Sequence, residues 1–300
     1  MGHARFGKVL TAMVTPFTDD GAFDPDGAAE LARWLVDHGN DGLVVAGTTG
    51  EAPTLKDEEH IELWRVVREA VDVPLVAGTG SNDTSHAVMM TEHAASIGMD
   101  AALVVTPYYN RPSQAGLEAH FRAVAGATDL PVIVYDIPGR SGRKVETDLL
   151  IRLATEVPTI VGLKDAAGNP GETARVIAAA PDDFDVYSGD DAITVPLLAV
   201  GAVGVIGTST HWCGPQMSEL VSAFEKGDHA RAQELNASLF ESYWYESRET
   251  AQFALCVKVA LRVLGLPGGS CRLPLGPEPA ELEDEARAML ERLGVTPVTP

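Results

Sequence analysis

Eight short apolar runs, rich in β-branched residues, recur at intervals of about twenty to thirty residues, and this rhythm narrows the fold more than any other feature of the chain. They are KVLTAMVTP, GLVVAGTTGE, PLVAGTGSN, AALVVTPYYN, PVIVYDIPGR, TIVGLKDAAG, FDVYSGDD and AVGVIGTST. Most are near-continuous in apolar residues rather than alternating, the pattern of parallel strands covered on both faces. Segments of helical period lie between them. In LKDEEHIELWRVVREAV, Ile61, Trp64, Val67 and Val71 mark an apolar stripe interrupted by Arg68, and Thr54 with Asp57 reads as a capping box that starts the helix. Eight β/α units in roughly 220 residues fit a (β/α)8 TIM barrel, whereas a doubly wound sheet more often stops near five or six strands. Beyond the last run, helices are expected over about 214–226, 228–246, 249–264 and 279–293, punctuated by Gly227 and GLPGGSCRLPLGPEP. The expected division is a catalytic barrel over 1–226 and a C-terminal helical extension over 227–300.

A chain of 300 residues with 45% hydrophobic residues and a mean hydropathy of +0.04 can bury a substantial core. Its formal net charge of −21 argues against a nucleic-acid surface, which needs clustered Lys and Arg. An anionic ligand would also meet an opposing global field, so a few local cations must hold it. Cys213, Cys256 and Cys271 are too sparse and too widely spaced for a disulfide framework or a zinc ribbon. Nor does any run approach the ~18 apolar residues of a membrane-spanning helix. A cytoplasmic protein is expected, without membrane or nucleic-acid partners.

Active sites of such barrels lie at the C-terminal ends of the strands, so the polar residues that end each run are the candidates. The second run ends in Gly47, Thr48, Thr49, Gly50 and Glu51, two hydroxyls flanked by glycines that let backbone N–H groups approach an anion. Tyr108 and Tyr109 end the fourth run; Tyr135 and Arg140 end the fifth. Taken singly, each also fits an ordinary turn or rim residue.

The chain has only six lysines: Lys8, Lys56, Lys144, Lys164, Lys226 and Lys258. Lys56, Lys144, Lys226 and Lys258 read as solvated or snorkelling side chains, and Lys8 precedes its strand. Lys164 alone follows a β-branched run at a strand's C-terminal end. Desolvation there favours the neutral amine that attacks a carbonyl; the alternative is a buried lysine paired with Asp165 or another carboxylate. An iminium so formed is an electron sink for carbon–carbon chemistry, and the phenol of Tyr135 is a candidate proton shuttle. No metal is expected, because the eight histidines and three cysteines show no ligand spacing such as HExxH.

GLVVAGTTGE, VTPYYNRPSQAGLEAHF, YDIPGRSG and GLKDAAGN, followed by YSGDD and GVIG, resemble the dihydrodipicolinate synthases within the N-acetylneuraminate lyase family of class I aldolases. Order and spacing are kept from about residue 7 to the C-terminal helices. The resemblance implies a lyase that joins pyruvate and L-aspartate 4-semialdehyde through a Schiff base, forming 4-hydroxy-tetrahydrodipicolinate on the route to diaminopimelate and lysine. It implies Lys164 as the Schiff-base residue and Tyr135 as proton donor and acceptor. Thr48 and Tyr109 would complete a proton relay, with Tyr109 reaching across from a neighbouring subunit of a dimer or dimer of dimers. Thr49 and the backbone at Ile206 would hold the pyruvate carboxylate, and Arg140 the carboxylate of the semialdehyde. No cofactor is implied. Sugar-acid lyases and keto-acid dehydratases of the same family share the lysine and tyrosine, and Arg140 tilts the choice toward the synthase, since a carboxylate-bearing aldehyde suits a fork-shaped cation. Departures from the family pattern are His86, where lysine-inhibited members tend to carry glutamate, and Asp57, where they often carry histidine. Weak or absent feedback by lysine is therefore expected. AQFALCVK also replaces an Asn-Pro-rich stretch before the family's C-terminal Val-Lys, which bears on helix packing or subunit geometry rather than on chemistry.

Overall fold

The computed structural model describes residues 3–298. Its strands are β1 (Val9–Ala12), β2 (Gly42–Val45), β3 (Leu75–Gly78), β4 (Ala101–Val105), β5 (Val132–Asp136), β6 (Ile160–Asp165), β7 (Asp185–Ser188) and β8 (Gly204–Gly207). They form a closed parallel barrel in sequence order, one strand within each apolar run, so the (β/α)8 expectation holds. Almost every strand residue is buried, as covering on both faces requires. Close approach is set by glycine at β8: a Cβ added to Gly204 would fall 1.9 Å from the carbonyl oxygen of Lys8.

Among the described residues the chain divides into two compact units, 3–8 with Pro74–Ile206, and Val9–Val73 with 207–298. In the first, the β5–β6 register pairs Tyr135 with Lys164 and Asp136 with Asp165, and the β6–β7 register pairs Lys164 with Tyr187. In the second, β1 pairs with β2 through Leu10 and Gly42, and helices follow from Thr210 onward.

Helix boundaries differ from the sequence expectation where local chemistry intervenes. The helix Asp57–Ala70 is capped at Lys56, whose backbone N–H donates to Glu59 Oε2 at 2.9 Å, and not at Thr54. Thr54 instead ends a short 3-10 turn and donates its hydroxyl to the Glu51 carbonyl at 3.0 Å. The buried stripe of this helix is His60, Leu63, Trp64 and Val67, an i, i+3, i+4, i+7 set that leaves Ile61 only half-buried. The helix Thr210–Glu225 starts earlier than expected because two helical pieces join across a kink at Cys213 (φ −115°, ψ 23°), just before Pro215. His229–Glu246, Phe253–Leu264 and Leu282–Leu293 complete the C-terminal helices, the second of them starting four residues later than expected. Among the described residues no helix is long and apolar enough to cross a membrane.

Candidate active site

Lys164 lies in β6, whose six residues are all buried, and keeps only 5% of its surface exposed. Paired positions on parallel strands share a face, so Tyr135, Lys164 and Tyr187 point the same way. Lys164 Nζ sits 4.5 Å from the centre of the Tyr135 ring. Tyr187 is fixed beside it, its hydroxyl donating to the Gly7 carbonyl at 3.0 Å. Asp165 faces the other side by strand alternation, where Oδ2 accepts from the Thr173 hydroxyl at 2.6 Å and Oδ1 from the Ala167 N–H at 2.9 Å. The neighbouring carboxylate is therefore engaged away from the lysine.

Two backbone features shape this cluster. Thr106 holds the Tyr135 carbonyl with both its N–H (2.9 Å) and its hydroxyl (3.0 Å), which fixes the end of β5. After β7, a Cβ added to Gly189 would lie 2.9 Å from Lys164 Cγ and 3.1 Å from Cε. Only glycine leaves room there for the lysine stem.

Arg140 lies in the short helix Pro138–Ser141 and is exposed, yet desolvation by nearby atoms lowers its pKa from the ordinary arginine value, with the Tyr135 phenol acting in the opposite direction. Tyr135 belongs to β5 and Arg140 to the short helix that follows it, so the phenol and the guanidinium come from the same C-terminal strand end. Tyr109 is not gathered into this cluster: it occupies the left-handed region (φ 73°), is 90% exposed, and donates its backbone N–H to the Ser141 carbonyl at 3.3 Å. Ile206 is buried in β8, next to Val205, whose N–H donates to the Lys8 carbonyl at 2.8 Å. Asp136, on the face opposite Tyr135, has its pKa pushed up to about 6 by burial, against the pull of the Val145 N–H and of Lys144.

The turn after β2 belongs to the other compact unit. Thr49 is buried and Thr48 exposed. The turn is closed by hydrogen bonds from the Glu51 N–H to the Thr48 carbonyl (3.1 Å) and from the Ala52 N–H to the Gly47 carbonyl (3.3 Å). Its left-handed residues are Ala46 (φ 59°) and Glu51 (φ 58°), not the two glycines. Gly50 is needed instead for space, since a Cβ there would meet the Met13 carbonyl oxygen at 3.0 Å.

One lysine is not where sequence reasoning put it. Lys258 was expected to be solvated or snorkelling, but it is fully buried and pairs with Glu51 at 2.6 Å. Its helix, Phe253–Leu264, is buried over most of its length, so the periodicity carries no solvent face for this position. Lys8, Lys56 and Lys226 are exposed and Lys144 is half-buried, bonded to Glu172 at 2.7 Å. Glu51 and Gly189 were also missed as shaping residues: a glutamate in a turn and a glycine after a strand look ordinary until the packing around them is known. Among the described residues, no group of three or more His, Cys, Asp or Glu side chains has metal-holding geometry.

A buried amine facing a phenol, with a guanidinium in the turn after the phenol's strand, is equipped to add to a carbonyl, exchange protons and receive an anionic partner. Comparison with known proteins agrees with that chemistry. A profile of the dihydrodipicolinate synthetase family matches residues 5–293. A 4-hydroxy-tetrahydrodipicolinate synthase from Acidothermus cellulolyticus is 50% identical over 98% of this chain and 94% of its own length. One from Moorella thermoacetica is 46% identical over 97% and 99%. Among solved structures, the lysine-bound enzyme of this family from Cyanidioschyzon merolae superposes with a TM-score of 0.94 at 41% identity, covering 96% of this chain and 98% of that one.

Proposed function

The chain belongs to the dihydrodipicolinate synthetase family, and from that premise we infer that it is a lyase condensing pyruvate with L-aspartate 4-semialdehyde to 4-hydroxy-tetrahydrodipicolinate, in diaminopimelate and lysine biosynthesis. The observation that carries the reading is Lys164, buried in β6 with its amine over the Tyr135 ring.

The Lys164 amine adds to the keto carbon of pyruvate and water leaves, giving an imine whose protonated form draws electrons from the methyl carbon. Loss of a methyl proton yields the enamine, which attacks the aldehyde carbon. Tyr135 passes the protons that these steps release and require, and the amino group of the joined chain then displaces Lys164 as the ring closes. Arg140 receives the carboxylate of the semialdehyde; its place in the short helix directly after β5, the strand that carries Tyr135, supports that role. Thr48 and Tyr109 complete the proton relay. Thr49 and the backbone at Ile206 hold the pyruvate carboxylate. The 90% exposure of Tyr109 supports its serving a neighbouring subunit, which makes a dimer the smallest complete unit and a dimer of dimers the expected assembly. A cytoplasmic location accords with this metabolic role.

A second reading, a lyase or dehydratase acting on sugar acids, shares Lys164 and Tyr135 and is separated from the first by Arg140. The test is a substrate panel of aspartate semialdehyde, N-acetylneuraminate and 2-keto-3-deoxy sugar acids, run on wild type and Arg140→Leu. Turnover with the semialdehyde alone is expected, and the variant should raise the KM for the semialdehyde about a hundredfold while shifting that for pyruvate little. Equal shifts in both would remove Arg140 from the aldehyde site.

A further inference from the structure

The buried charge of Lys258 has no part in the chemistry above, yet it is spent on the turn that carries Thr48 and Thr49. Glu51 is 1% exposed, and its Oε1 lies 2.6 Å from Lys258 Nζ. Its Oε2 accepts the backbone N–H of Arg272 at 2.9 Å. Lys258 also donates to the Ser270 carbonyl at 3.2 Å and lies 4.0 Å from the centre of the Phe17 ring. Arg272 covers the same ring at 4.1 Å and donates to Glu59 at 2.8 and 2.7 Å and to the Thr54 carbonyl at 2.9 Å. Gly269 allows this strap to approach, since a Cβ there would overlap the Phe17 carbonyl oxygen at 1.9 Å.

Glu51 is also the residue whose left-handed backbone closes the turn on the Thr48 carbonyl. Such a conformation is strained for a residue with a Cβ and persists only where its surroundings enforce it. The enforcing groups are Lys258, Arg272 and the Thr15 hydroxyl, which donates to the Gly50 carbonyl at 2.6 Å. A stability role alone does not account for the pair, because apolar groups of similar volume usually serve a buried position as well as an ion pair does.

We propose that Glu51 and Lys258 are positioning residues: their ion pair lets the C-terminal helices hold the turn that presents Thr48 and Thr49 to pyruvate. The proposal rests on the roles assigned to those threonines. It is tested with Lys258→Met and the double variant Glu51→Gln/Lys258→Met, the second of which leaves no lone buried charge and so keeps the fold even if the first does not. In the double variant thermal stability returns close to wild type, the KM for pyruvate rises about tenfold to a hundredfold, and that for the semialdehyde stays within about twofold. Amide hydrogen exchange in the full chain without substrate speeds up at residues 47–51. Recovery of the pyruvate KM together with stability would make the pair merely structural, and so would unchanged exchange at 47–51; either result overturns the proposal. The exchange readout needs no substrate, so it stands or falls apart from the assigned reaction, which fails instead if the wild-type protein forms no pyruvyl adduct at Lys164.

Discussion

Lys164 and Lys258 are both buried, and their neighbours separate them. Lys258 faces a carboxylate at 2.6 Å; burial pulls its pKa below the usual lysine value while Glu51 pushes it back. Lys164 faces a phenol across a strand pair, with its sequence neighbour Asp165 committed to Thr173. Reading the sequence could select Lys164 because a β-branched strand ends on it, but it could not see that a lysine among helical residues was enclosed by a loop more than two hundred residues away in the chain. Gly189→Ala tests the room left for the Lys164 stem. The variant should fold, and a displacement of the amine on the order of 1 Å should lower kcat about a hundredfold; unchanged kcat would show that the stem accommodates a methyl group. His86 and Asp57 bear on feedback in the same local way. Although a relative has been solved with lysine bound, an inhibition curve on this protein should show half-inhibition only above about a millimolar of lysine, the weak-binding end of the affinity scale, and a tighter value would refute the expectation.

The barrel strands were legible because burial on both faces leaves a continuous apolar run, a signal that survives in four or five residues. Helix ends were less so. The Asp57–Ala70 helix takes its cap from a backbone N–H and Glu59, while Thr54, which resembles a cap, is used in a preceding 3-10 turn. Glu59 is in turn held by Arg272, which lowers its pKa to about 2, so this helix start depends on the C-terminal segment. Trp64, fully buried on that helix and donating to the Val45 carbonyl at 3.2 Å, ties it to β2. Trp64→Ala should cost about 3–5 kcal/mol in urea unfolding. A loss below about 0.5 kcal/mol, the range of ordinary surface changes, would show that the helix does not depend on this anchor.

For the whole molecule, acid stability follows from histidines buried in the neutral form. His211 accepts the Val14 N–H at Nε2 (3.1 Å) and bonds the Thr208 carbonyl through Nδ1 (2.8 Å), which fixes the tautomer with the proton on Nδ1. Burial lowers its pKa and that of His120 to about 4 from the ordinary 6.5. The unfolded chain therefore binds protons first, and the stability these groups contribute is complete above about pH 6.5 and lost as pH falls toward about 4, by up to about 3 kcal/mol each. Asp136 works in the other direction: raised to about 6, it keeps a proton that the unfolded chain releases, and stabilises as pH falls through the same window. Two histidines outweigh one aspartate, so urea-unfolding stability should decline from pH 6.5 to 5, and more steeply in Asp136→Asn. A flat profile would contradict the neutral burial of the histidines.

The proposed chemistry depends on an imine between Lys164 and pyruvate. Borohydride reduction of the wild-type protein with pyruvate, followed by peptide mass spectrometry, should place a single reduced pyruvyl adduct on Lys164, and Lys164→Ala should carry none while remaining folded. No adduct in the wild type, or an adduct on another lysine such as Lys258, would contradict it.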